Sequence, residues 1–217
     1  MKGIAIIGLS SFGYYLAMNM VDSGIEVIAV DMEEEKIDKV KNSAHKAVIA
    51  DATDKDTLKA LGLEEMNGVV VSLGEIESSV LVTLHLKEMK IKNIISKALS
   101  EEHGKILEMI GATEVIFPEK DMALKVARRL THENIIEYVP LAEGYSIVDL
   151  APPKSIVGKT LGELNLTNKY NVQVIVVKEV IPEKVTMIPR ADYKVKSSDI
   201  LVIMGEDKNI EKVQSLK

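Results

Sequence analysis

The turn Gly8-Leu9-Ser10-Ser11-Phe12-Gly13 is where the residue types and spacing of this chain first suggest chemistry. Glycines at its first and last positions would permit a tight turn and close packing of a following helix on a strand. Ser10 stands where a further glycine would let the backbone approach a diphosphate, so a phosphate should be held less closely here. The free N–H groups and dipole of a helix opening after the turn would still favour an anion. Eighteen residues after Gly13, Asp31 ends a second apolar run, Val27 to Val30. A carboxylate at that place can accept hydrogen bonds from both ribose hydroxyls of a nucleotide and repels a 2′-phosphate, which disfavours NADP. It could equally cap a helix beginning at Glu33.

Other residues gather at equivalent places. Asp51, Ala52 and Thr53 follow a third apolar run, where an adenine edge would fall, although Asp54 before an apolar helix reads best as a helix cap. Lys97 is the best-placed counter-charge for a phosphate, though a lysine at a strand end can also be simply solvated. Glu119, after Pro118, could bind a cation near phosphates or complement the dipole of the next helix. The four histidines, His45, His85, His103 and His132, show no ligand spacing, and no Ser-His-Asp set suggests itself. The ten methionines fall mostly at apolar helix positions, as gap fillers do.

These residues need strands and helices to bring them together. Short apolar runs at about 4–7, 27–30, 47–50, 68–72, 93–96 and 114–117 read as strands buried on both faces. Helical stretches near 33–43, 54–61, 76–90 and 101–110, and one after Gly13 that stops at Gly24, lie between them. Strand and helix alternating in this way predict an α/β, Rossmann-like doubly wound parallel sheet, which binds ligands at the carboxyl ends of its strands. Residues 118–138 predict a crossover helix pair broken near Thr131-His132. Beyond it, strands at 145–150, 172–178, 185–188 and 200–204 and a helix at 207–215 predict a small α+β C-terminal lobe. The expected division is 1–138, with its core at 1–117, and 139–217.

The totals narrow the function. The absence of cysteine excludes disulfides, thiolate metal sites and cysteine nucleophiles. A net charge of −6 with three arginines argues against a nucleic-acid partner. No apolar stretch approaches the roughly 18 residues of a membrane span and no leader pattern opens the chain, so a cytoplasmic protein is expected.

The turn from Ile6 to Gly13, Val30-Asp31, Asp51-Ala52-Thr53, Lys97-Ala98 and above all Gly111-Ala112 through Phe117-Pro118-Glu119-Lys120-Asp121-Met122 resemble the TrkA/KtrA family of regulatory subunits. The resemblance continues into Tyr145-Ser146-Ile147-Val148, Gly158-Lys159-Thr160-Leu161 and Leu201-Val202-Ile203-Met204-Gly205. It implies a cytosolic RCK protein that binds an adenine nucleotide: AMP, ADP or ATP, with NAD a further candidate. Such subunits form rings from dimers, commonly octamers, beneath a membrane potassium channel or transporter. The chain would thus be peripheral to the inner membrane, and nucleotide exchange would gate the pore. The resemblance places Gly8, Ser10, Ser11, Phe12 and Gly13 at the phosphates, Asp31 at the ribose, Lys97 near phosphate and Glu119 near an intersubunit cation. Members that discriminate ATP from ADP often carry Gly-Arg where this chain has Ser10-Ser11. A ligand with fewer phosphates, such as AMP or ADP, or a less responsive role beside another subunit, is therefore expected. The rival readings are an NAD-dependent oxidoreductase, which lacks a histidine after His132 to act as acid or base, and a stand-alone nucleotide sensor with another protein partner.

Overall fold

A computed structural model describes residues 3–131 and 135–216. The chain divides into two compact units, Met1–Asp121 and Met122–Lys217. In the first, strand and helix alternate: β1 (Ile4–Ile7), α1 (Ser11–Asp22), β2 (Val27–Asp31), α2 (Glu34–Asp38), β3 (Lys46–Ile49), α3 (Lys55–Ala60), β4 (Gly68–Val71), α4 (Ile76–Glu88), β5 (Ile94–Lys97), α5 (Glu101–Ile110) and β6 (Glu114–Ile116). The strands form one parallel sheet in the order β3-β2-β1-β4-β5-β6. The chain starts in the middle, winds to one edge, then crosses β1 and winds to the other. That crossing leaves a crevice beyond the carboxyl ends of β1 and β4.

Burial on both faces explains why the inner strands β1, β2 and β4 read as continuous apolar runs. In β1, Ala5 and Ile7 join a core with Val30, Val71, Leu58, Val82 and Leu86. Ile6, between them, points into a second core with Ala29, Val70, Ala17 and Val40. A fully buried Ile or Leu contributes about 1.5–3 kcal/mol, so these two layers stabilise the sheet that carries the strand ends.

In the second unit, α6 (Pro118–Thr131), which begins in the first, leads to β7 (Ile135–Ala142). The rest is β8 (Tyr145–Leu150), α7 (Leu161–Leu164), α8 (Leu166–Tyr170), β9 (Val172–Val180), β10 (Glu183–Met187), β11 (Asp199–Glu206) and α9 (Asp207–Gln214). The strands form an antiparallel sheet in the order β10-β9-β11-β8-β7. Its core includes Val148, Leu150, Val172, Val177, Leu201, Ile203, Ile210 and Val213.

The expected crossover helix pair is not formed. A single helix, α6, is followed by a strand, and the expected boundary at 138 lies inside it. The apolar spacing of Ile135 and Tyr138 fits a helix, but Ile-Ile-Glu-Tyr-Val is rich in residues that favour strands. The segment pairs with β8, Tyr138 opposite Val148 and Val139 opposite Ile147, through a turn at Gly144 with φ of 75°. Hairpin pairing across that turn overrides the local helical spacing. The expected break at His132 falls outside the described residues.

Candidate functional site

The crevice is assembled from strand ends. Gly8 follows β1 with φ of 90°, and a Cβ there would stand 2.6 Å from the Ser72 carbonyl oxygen. Gly13, in the first turn of α1, is tighter still: a Cβ would stand 2.0 Å from the Gly8 carbonyl oxygen. Both glycines therefore serve close backbone approach, as their spacing predicts. Ser10 precedes α1 but its side chain does not cap the helix. Its Oγ lies 2.7 Å from Ser72 Oγ, just beyond β4.

Asp31 ends β2 and is 9% exposed. Its Oδ2 accepts from the Leu9 backbone N–H at 2.6 Å, and its Oδ1 from the Glu33 backbone N–H at 2.9 Å. Lys36, in α2, lies 3.7 Å from the same Oδ2 and donates to Glu33 Oε1 at 2.7 Å. The Glu33 hydrogen bond, with a smaller contribution from Asp31, holds the Lys36 ammonium above its ordinary range despite opposing burial. Two fixed N–H donors aim the carboxylate and leave lone pairs on both oxygens, which is the geometry a vicinal diol requires.

Asp51, Ala52 and Thr53 follow β3, the strand paired with β2, and so lie beside Asp31. Asp51 Oδ1 accepts from the Thr53 backbone N–H at 2.9 Å and from its hydroxyl at 2.6 Å, so Oδ2 remains to meet a donor such as an exocyclic amine. Asp54 caps α3, accepting from the backbones of Asp56 and Thr57, as expected.

The resulting crevice has a volume of about 300 Å³. Gly8, Ser10, Asp31, Asp51, Ala52 and Thr53 all line it, together with Ser72, Leu73 and Gly74. Sequence reasoning missed Met32, Lys36, Glu75 and Ser78, which line it too. The signal available for these was positional, since each sits in or just before the first turn of a helix that starts at a strand's carboxyl end. Ser11, Phe12, Gly13 and Lys97 do not line it.

Lys97 is turned elsewhere. Only 4% exposed, it donates to Glu119 Oε1 at 2.9 Å, joining the end of β5 to the first turn of α6. That hydrogen bond holds the Glu119 carboxyl below its usual range. An ammonium on Oε1 opposes a cation there, and no group of three or more potential metal-binding side chains occurs among the described residues. The donor set within one chain does not fit a metal ion. His103, also without a ligand role, is buried between α4 and α5: Leu99 N–H donates to Nδ1 at 3.2 Å and Nε2 pairs with Ser79 Oγ at 2.8 Å.

Residues 4–118 match the TrkA-N domain and residues 145–217 match the TrkA-C domain. The chain belongs to the TrkA-N/TrkA-C family. This TrkA-type chain is 38% identical to Ktr system potassium uptake protein A of Bacillus subtilis over 215 residues, covering 99% of this chain and 96% of that protein. It is 35% identical to Ktr system potassium uptake protein C of the same organism over 214 residues, covering 98% and 96%. Among solved structures it superposes on the GsuK channel bound to NAD with a TM-score of 0.57 at 20% identity, covering 98% of this chain. The chain spans 38% of that channel's length, and the likeness is one of fold. Both TrkA domains lie in parts of the chain where the two sheets were just described. No helix among the described residues is long and apolar enough to cross a membrane.

Proposed function

We propose that this chain is the nucleotide-binding regulatory subunit of a membrane potassium channel or transporter. The observation that carries the proposal is the combination of a family match along nearly the whole chain with a formed crevice around Asp31. In this reading Asp31 binds the ribose hydroxyls, Asp51 and Ala52 meet the adenine edge, and Gly8 and Ser10, the residues of the turn that line the crevice, face the phosphates. The ligand is an adenine nucleotide, AMP, ADP or ATP, with NAD as the other candidate, and exchange of one for another reshapes the assembly and gates the pore.

The proposal assigns no catalysis. It places the chain on the cytoplasmic side of the membrane, in a ring built from dimers of itself or of related subunits, with eight copies the expected number. A cation at Glu119 would need donors from a second subunit and the displacement of Lys97. Lys97 reaches phosphate only if it leaves Glu119.

The decisive experiment is purification of the native assembly, mass spectrometry of the nucleotide that comes with it, and capture of its partner from membrane fractions. An adenine nucleotide and a potassium transport subunit are expected. Recovery of the chain with neither, or hydride transfer to a panel of aldehydes and 2-hydroxy acids, would overturn the proposal.

A further inference from the structure

A hydroxyl pair spans the turn at the point where a diphosphate would approach the helix. Ser72 is fully buried, and its hydroxyl meets Ser10 Oγ at 2.7 Å across the turn. A ligand diphosphate would have to run past this pair to reach the first turn of α1, yet Ser11, Phe12 and Gly13 do not line the crevice at all. Its volume of about 300 Å³ is at the small end of ligand pockets, which run to roughly 1,000 Å³.

Charge points the same way. Four carboxylates line the crevice, those of Asp31, Glu33, Asp51 and Glu75, against the single ammonium of Lys36. Lys36 is already engaged by Glu33 and Asp31. Each additional phosphate therefore brings more negative charge into a negative lining, with no free cation among the lining side chains to receive it.

We propose that the Ser10–Ser72 hydroxyl pair and the carboxylate-rich lining restrict this crevice to an adenine nucleoside carrying one phosphate or none. The inference rests on the nucleotide reading above and narrows it. Ser10 is then a specificity-determining residue. Its replacement by glycine removes the obstruction and releases the Ser72 hydroxyl to donate to a phosphate oxygen. The helix cap is little affected, because the Ser10 side chain does not serve it.

Titration calorimetry of the full chain with adenosine, AMP, ADP, NAD and ATP tests this. AMP should bind about tenfold or more tighter than ADP, NAD and ATP, the value of one well-placed interaction. Raising the salt concentration should narrow the gap between AMP and ATP, because it screens the carboxylates. In Ser10→Gly, the affinities for ADP and NAD should rise toward the affinity for AMP measured in the same variant. Ser10→Ala, which keeps Cβ and loses the hydroxyl, should fall between. Ser72→Ala, which frees the Ser10 hydroxyl instead, should likewise shift the ADP to AMP ratio if Ser10→Gly fails to fold. Equal binding of AMP, ADP and NAD by the parent chain, or an unchanged ratio in the folded variants, would overturn the inference while leaving the nucleotide reading intact. Binding of none of the five ligands would overturn both.

Discussion

Asp31 Oδ2 and the Leu9 backbone nitrogen lie 2.6 Å apart, so the carboxylate assigned to the ribose also ties the β1–α1 turn to the end of β2. With the Glu33 N–H on its other oxygen, Asp31 organises two loops before any ligand arrives. Its removal therefore acts on both folding and binding, although no apolar core packing is lost.

Asp31→Ala is expected to weaken binding of the adenine nucleotide by about tenfold or more and to lower stability by about 1–3 kcal/mol, since two N–H groups lose their acceptors. Calorimetry and urea unfolding report the two effects separately. Unchanged affinity in the folded variant would end the ribose assignment.

Gly13→Ala tests the close approach of α1 to β1. A methyl group 2.0 Å from the Gly8 carbonyl oxygen forces backbone apart. A loss of about 1–3 kcal/mol is expected in denaturant unfolding. Gly24→Ala, where a Cβ would meet nothing within 4 Å but φ is 75°, isolates the cost of strain and should cost less, and an equal cost would mean that the Gly13 contact relaxes more readily than its distance implies.

How far the sequence revealed all this can be judged from particular elements. The parallel sheet was legible because its inner strands β1, β2 and β4 are buried along most of their length and end at or just before Gly8, Asp31 and Ser72 respectively. Asp31 was legible because its distance from the glycine turn is fixed by one helix and one strand. The strand β7 was not, since Ile135 and Tyr138 mimic helical spacing and outweighed the turn signal of Glu143-Gly144 that folds β7 back onto β8. Lys97 shows another limit. Its position at a strand end was read correctly, but its direction depends on Glu119, 22 residues away, which no local pattern specifies.

The pairing of Lys97 with Glu119 gives an asymmetric prediction. Lys97 is buried and Glu119 mostly exposed, so Glu119→Ala strands an ammonium without a partner, whereas Lys97→Met leaves a carboxylate that water can reach. Thermal unfolding should show Glu119→Ala as the more damaging of the two. The reverse order would mean that the ammonium finds another partner.

His103 should make stability depend on pH. Leu99 N–H donates to Nδ1, so the proton sits on Nε2, facing Ser79, and a second proton has no acceptor. Burial lowers the His103 pKa from its ordinary 6.5. The unfolded chain thus takes up a proton more readily, and the stability His103 contributes is fully present above about pH 6.5 and is lost as the pH falls through the lowered value. Urea midpoints for the parent chain and His103→Gln at pH 7.5 and 5.5 check this, with a smaller fall expected in the variant. An identical fall in both would assign the dependence to other groups.

The glycines around the crevice also decide where its wall tolerates a larger residue. Gly8 and Gly13 are pressed against backbone, so a side chain at either would push the β1–α1 turn out of place. Gly74, on the β4–α4 side, has nothing within 4 Å of where a Cβ would be. The lining of the crevice can therefore change its chemistry at Gly74 without moving the strands that frame it.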